Sequence, residues 1–291
     1  MRQCFSIGLF ALLVLSLPGC GGFRDTKPQL PGNLDTLCMP DYASGFEMYR
    51  YDSSTLLRIV NPWQGADSVS QWVFLSRDDE KPPKGFAGET IDVPVRRIVC
   101  MSSSYVAFLE ALGADSTICA ISGTGYIWSD KVRNRIAGGE IAEAGFDNSL
   151  NFEKLVALKP DVVFLYGLTG KNAVTDKLHE LGLKTVYIGD YVENNPLGRA
   201  EWITVFGEFT GRRELARTLF DSISNEYNRA KALVSGVEKR PEVMLNAPWQ
   251  DSWFVPGDRS YMVRLLEDAG GNYACRGVDS DQSRPISTET A

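Results

Sequence analysis

The sequence predicts an α/β protein whose core is a parallel sheet covered by helices, and three observations predict it. From Arg97 onward, short apolar runs alternate with amphipathic helical stretches, the pattern of strand-helix-strand units. A nearly continuous helical stretch from Gly198 to Glu238 then separates this pattern from its restart after Arg240-Pro241. Finally, Phe108-Leu-Glu-Ala-Leu-Gly113 is echoed by Leu265-Leu-Glu-Asp-Ala-Gly270, which points to two similar lobes.

The chain opens with Arg2 and an apolar run from Ile7 to Leu17. That is the pattern of a signal peptide over residues 1–19, and the run is too short to cross about 30 Å of hydrocarbon. It ends in Leu17-Pro18-Gly19-Cys20, which resembles the lipobox of bacterial lipoproteins and implies lipidation at Cys20. Acyl chains are then the expected membrane anchor. Residues 20–40, rich in Gly, Pro and polar side chains, read as a tether. A β-rich extension over 41–92 contains Phe46 to Tyr51, Thr55 to Val60 and Gln71 to Leu75, separated by Asp52-Ser53-Ser54 and Asn61-Pro62 turns. A small antiparallel meander is expected there, ended by Lys81-Pro-Pro-Lys-Gly85.

Next, Ile98 to Met101 is a strand; Ser102-Ser-Ser104 can cap a helix bearing Tyr105, Phe108, Leu109 and Leu112; and Gly113 stops it. Strands are also expected at Thr117 to Ile121, Asp161 to Tyr166 and Thr185 to Ile188, with helices at Phe152 to Leu158 and Val174 to Leu181. In the long helical stretch, Gly207 and Gly211 weaken the middle, so two helices meeting near Thr210-Gly211 also fit. Beyond it come a strand at Glu242 to Asn246, a turn at Pro256-Gly257-Asp258 and a helix from Tyr261 to Glu267.

Composition narrows the function. With 44% hydrophobic and 23% charged residues the chain folds, and a net charge of -7 without a Lys/Arg cluster excludes a phosphate-tracking nucleic-acid binder. His179 is the one histidine and reads as an exposed helix residue, so no imidazole-built metal site can form. Beyond Cys4 and Cys20, the cysteines at 38, 100, 119 and 275 show no CxxC pair, and Cys100 and Cys119 fall in apolar strands as small buried hydrophobes. No Gly-x-Ser-x-Gly elbow, His-Glu-x-x-His or phosphate loop occurs. Acidic residues are plentiful enough for a carboxylate-pair hydrolase, which stays as the alternative together with a surface adhesion protein.

Four segments carry a family resemblance: Val95 to Ser103, Phe108 to Gly113, Leu150-Asn-Phe-Glu-Lys-Leu-Val-Ala-Leu-Lys-Pro-Asp-Val-Val163 and Leu181-Gly-Leu-Lys-Thr-Val186. In order and spacing they resemble the substrate-binding proteins of ABC importers for iron-siderophores, haem and cobalamin. The resemblance implies two Rossmann-like lobes, 93–195 and 239–291, facing each other across a shallow cleft and joined by a long connecting helix at 196–238. It implies a non-enzymatic, monomeric binding protein, with an inner-membrane permease and a bulky metal-chelate ligand as partners, no cofactor or metal of its own, and a cell-envelope location facing the periplasm. Glu153 and Glu289 match the two surface glutamates that dock onto permease arginines. The second lobe is expected to run beyond Glu289, so a chain ending at Ala291 reads as truncated, with an incomplete second lobe that leaves sheet edges and an apolar face unburied.

Cleft residues of such a fold sit just past strand ends. Ser103, Tyr126, Trp128, Tyr166, Trp249 and Trp253 occupy such places here, and their large rings suit a rigid, bulky ligand. Arg276 is positioned to meet an anionic group or else to stay solvated.

Overall fold

The structure is a computed structural model that describes residues 35–146, 149–167, 173–248 and 252–287. It begins with β1 (Asp35–Cys38), β2 (Phe46–Tyr51), β3 (Ser54–Val60), β4 (Ser70–Ser76) and β5 (Glu89–Asp92), which form one five-stranded sheet in chain order. β1 to β4 pair antiparallel, but β5 pairs in parallel with β4, so the sheet is more than a meander. β1 and β5 are four residues each, too short to show an alternating pattern in the sequence.

The parallel sheet follows. Its elements are β6 (Ile98–Cys100), α1 (Ser103–Ala111), β7 (Ile118–Ile121), α2 (Asp130–Ala137), β8 (Ala142–Glu143), α3 (Phe152–Leu158), β9 (Val162–Leu165), α4 (Ala173–Glu180) and β10 (Thr185–Tyr187). The strand order is β10-β9-β6-β7-β8, with every pair parallel. Both faces are buried, which explains why these strands read as continuous apolar runs. Ile98, Cys100, Val162 and Phe164 point to one face and share a core with Tyr105, Phe206 and Phe209. Val99, Val163 and Leu165 point to the other, where Leu155 and Leu178 cover them. Cys100 is buried on the first face and Cys119 on the second; both thiols are free and pushed up above their ordinary value by burial.

Where one long helix, or two meeting near Thr210-Gly211, was expected, the chain forms α5 (Pro196–Glu201), α6 (Ile203–Thr210) and α7 (Arg213–Leu233), so the break at Gly211 is present and a further one falls at Trp202. Asn195 caps α5, its side chain accepting from the Leu197 amide at 3.0 Å, and Pro196 fits the first turn because its missing N–H has no partner to lose. Gly211, at φ +70°, ends α6 in the left-handed conformation that glycine adopts without cost. α6 is buried along its whole length. The 21-residue α7 then leads into β11 (Glu242–Val243), β12 (Ser252–Val255), α8 (Tyr261–Asp268), β13 (Asn272–Tyr273) and β14 (Arg284–Ser287). β11 pairs in parallel with β13, and β12 antiparallel with β14.

The first sheet shares its core with the parallel one: Leu57, Ile59, Val73 and Leu75 join Trp202, Phe206 and Phe209 in a single cluster. Polar groups fix the docking. The Glu201 carboxylate accepts from the backbone amides of Asp41, Tyr42 and Ala43, each at 2.8 Å. Glu193 accepts from the amides of Ser44 and Gly45 and from the Trp202 indole. Gly45 is required there, because a Cβ would fall 2.8 Å from the Trp202 ring. At the border strand β10, the buried amide of Gln71 donates to Thr185 O and accepts from Tyr187 N, both at 2.9 Å, as a neighbouring strand would. Among the described residues no helix is long and apolar enough to cross a membrane.

Candidate functional site

In the parallel sheet the chain starts at the centre on β6, moves out to β7 and β8, and returns past β6 to β9 and β10. The direction of travel therefore reverses between β6 and β9, and loops leaving their carboxyl ends diverge to leave a crevice. Ser102 to Ser104 leave β6 there, and Tyr166 and Gly167 leave β9. Ser102 caps α1, its hydroxyl accepting from the Ser104 amide at 3.3 Å. The Tyr105 hydroxyl lies between Leu165 O and Ile188 O, at 3.1 and 3.2 Å, and so ties α1 to the ends of β9 and β10.

An aromatic hollow opens on one side of this crevice. The loop after β7 is folded by Glu143, whose carboxylate accepts from Gly123 N at 2.9 Å, Thr124 N at 2.8 Å, the Thr124 hydroxyl at 2.6 Å and Gly145 N at 3.0 Å. Partial burial pushes its pKa up, but these donors outweigh that and hold the carboxyl below its ordinary value. The loop so held presents Tyr126 at 69% exposure and Trp128 at 91%, with Phe146 half-exposed beside them. Ser103, Tyr126 and Trp128 line one hollow of about 590 Å³, with Glu110 and Lys131 on its rim. An indole left almost wholly in water contributes nothing to the core.

On the other side, a hollow of about 500 Å³ lies between the segment after β10 and the C-terminal part of the chain. Gln64, Tyr191 and Arg199 meet Asn246, Ser260 and Tyr261 there. Arg199 donates from Nε to Glu193 O at 3.1 Å and from Nη2 to Tyr191 O at 2.6 Å, and its guanidinium sits 3.9 Å over the Tyr261 ring. Asp190, in the segment after β10, interacts with Ser104 of the first hollow and with Arg199 of the second. Burial raises its pKa to about 6, against the pull of a Ser104 hydrogen bond and of Arg199. Its Oδ1 has no hydrogen-bond partner.

The predicted residues thus divide. Ser103, Tyr126 and Trp128 come together in the first hollow. Tyr166 is half-buried against Tyr191, ring centroids 4.3 Å apart, beside the second. Trp253 lies within β12 and not in a loop, and its indole N–H donates to Leu245 O at 3.0 Å, which directs it into its own segment. Arg276 is ion-paired to Glu267, so its charge already has a partner. Glu153 is exposed in the first turn of α3. Cys20, Trp249 and Glu289 lie outside the described residues. His179 is on the surface of α4 as expected, yet its ring bonds the Thr185 hydroxyl at 2.7 Å and lies 3.3 Å from Glu89. Among the described residues no cluster of His, Cys, Asp and Glu could hold a metal ion. Sequence reasoning missed Phe146, Asp190, Tyr191 and Arg199; the strand-end rule that found Tyr126 also points to Phe146, but β8 is only two residues long and goes unread.

The sequence profile of the periplasmic binding protein family matches residues 98–291, two thirds of the chain. This chain belongs to that family. Among curated relatives, the uncharacterized lipoprotein MJ0878 of Methanocaldococcus jannaschii is 26% identical over 100% of this chain and 77% of its own length. A second lipoprotein of the same organism, MJ0872, is 27% identical over 85% of this chain and 63% of its own. Solved members of similar shape include a possible iron-binding, periplasmic solute-binding protein of Staphylococcus epidermidis, at TM-score 0.54 and 20% identity over 68% of this chain and 73% of that one. The periplasmic haem-binding protein HutB of Vibrio cholerae has the same TM-score and identity over 67% and 71%. A periplasmic binding protein of Veillonella parvula reaches 0.56 at 14% identity over 78% and 71%. At these identities the likeness establishes the two-lobed α/β fold.

Proposed function

We propose that the protein is the substrate-binding subunit of an ABC importer, held at the cell envelope by lipid on Cys20, and that it captures a bulky metal chelate: haem, a ferric siderophore or cobalamin. The observation that carries this is the aromatic hollow at the carboxyl edge of the parallel sheet, in a chain of the periplasmic binding protein family. Exposed Trp128 and Tyr126 offer wide apolar faces with few rotors to freeze, which favours a rigid, flat partner over a flexible one. Relatives that are lipoproteins, and similar structures of a possible iron-binding protein and a haem-binding protein, support the anchor and the ligand class. Glu153 serves as one permease-docking residue in this reading. Asn151, which caps α3, donates its amide to Ala144 O just past β8, so Glu153 stands at the same edge of the sheet as the hollow.

The test is a tryptophan-fluorescence titration of the whole chain with haem, a ferric trihydroxamate and cyanocobalamin. Saturable quenching by at least one is expected, and Trp128→Ala should weaken it roughly tenfold or more while leaving the melting temperature unchanged. A flat response to all three overturns the proposal.

A further inference from the structure

The family profile begins at residue 98, yet one wall of the second hollow comes from the first sheet. The β3–β4 loop carries Trp63 and Gln64 to the carboxyl ends of β9 and β10. Trp63 meets the Tyr187 ring edge-on, centroids 5.1 Å apart, and closes over Gly167 so tightly that a Cβ there would fall 3.3 Å from its ring. The Gln64 amide donates to the Tyr191 hydroxyl at 3.2 Å, and that hydroxyl donates to Gly167 O at 2.6 Å. The loop is thereby fastened to the crevice by its backbone, and the Gln64 side chain is left exposed in the hollow.

The chemistry of this hollow differs from that of the aromatic one. Its wall presents the carboxamides of Gln64 and Asn194 and the Tyr261 hydroxyl, beside Asn246, whose amide donates to Phe254 O at 2.7 Å, and Ser260, whose hydroxyl caps α8. Arg199 spends Nε and Nη2 on backbone carbonyls, while its Nη1 has no hydrogen bond among the described residues. Asp281 also lines the hollow, so its charges balance and hydrogen bonding dominates. Ser104, which lines the aromatic hollow, bonds Asp190, and Asp190 also feels the charge of Arg199 in the polar one. A macrocycle or chelate with an apolar face and a polar rim carries groups that suit each hollow, ring for Trp128 and rim for the amides.

We propose that the polar hollow is a second contact region of the ligand site, taking the carboxamide, hydroxyl or carboxylate groups at the ligand's periphery, and that Gln64 of the N-terminal sheet touches the ligand there. This rests on the function proposed above. The exposed Gln64 and Asn194 carboxamides and the remaining Nη1 of Arg199 suit such groups, and an apolar ligand without a polar rim would leave them unsatisfied.

Alkylation of Gln64→Cys by a maleimide, followed by peptide mass spectrometry in the whole chain, tests it, with Ser235→Cys beyond the end of α7 as the control position. Native Cys38 and Cys275 fall in separate peptides. Whichever of haem, ferric trihydroxamate and cyanocobalamin quenches the tryptophans should slow alkylation at position 64 tenfold or more at saturation and leave position 235 unchanged. Quenching without protection at 64, or equal protection at both positions, overturns this inference and leaves the functional proposal standing. Absence of quenching by every probe overturns both.

Discussion

Asp190 is a carboxyl group in a place that disfavours its charge. It is buried, one oxygen is unpaired, and its pKa rises to about 6. Because that lies above the ordinary 3.8, the native state holds the proton more tightly than the unfolded chain between these two values. The group therefore adds stability as pH falls through about 6 and withdraws it as pH rises, until the full cost stands above that value. Asp190→Asn should then stabilise the protein at pH 7 by up to roughly 3 kcal/mol, with the gain shrinking toward pH 4. Urea unfolding at both pH values measures it; an equal gain at both would remove the titration from the explanation. None of this was legible in the sequence, where Gly189-Asp190-Tyr191 is an ordinary turn triplet. The loop position of Tyr126 and Trp128 past β7 was legible, but their exposure was not, since Tyr166, also just past a strand end, is half-buried.

At the scale of elements, legibility followed burial. Strands β6, β7 and β9 are covered on both faces, so their apolar runs stand out, whereas β8, β11 and β13 have two residues each and leave no period to read. Helical periodicity runs through Trp202 without a break, although α5 ends there and α6 starts. The joining of the N-terminal sheet to the helices is illegible for another reason: it depends on partners about 150 residues apart. Glu201 is completely buried, and its two oxygens serve three backbone donors. In Glu201→Gln one oxygen becomes an amide donor facing backbone donors, which should cost roughly 2 kcal/mol or more. Hydrogen exchange should accelerate first at Asp41 to Ala43; uniform acceleration across the first sheet would show that Glu201 supports the fold generally and not this junction.

For the whole molecule, α8 packs against α5, with Arg199 on Tyr261 as one link and Asp268 on Tyr227 and Lys231 of α7 as another. The proposed delivery role assigns ligand capture and permease docking to different residues, since Glu153 is on α3 and contributes to neither hollow. Glu153→Ala combined with Glu289→Ala should reduce ligand-stimulated ATPase activity of the reconstituted transporter at least tenfold while the dissociation constant of the free binding protein stays the same. A double variant that loses affinity and still stimulates the transporter would refute that separation. The family resemblance could be read from four short segments of the lobe, but the first sheet, which lies outside the matched region, shows its attachment only in three dimensions.

Gln71 has one more effect. On the β10 side of the parallel sheet, the ladder of backbone donors and acceptors meets a side chain that imitates a peptide group and cannot pass the pattern on. Another molecule arriving at that border finds no strand to extend. The amide thus occupies backbone groups that an open edge strand would present to another chain.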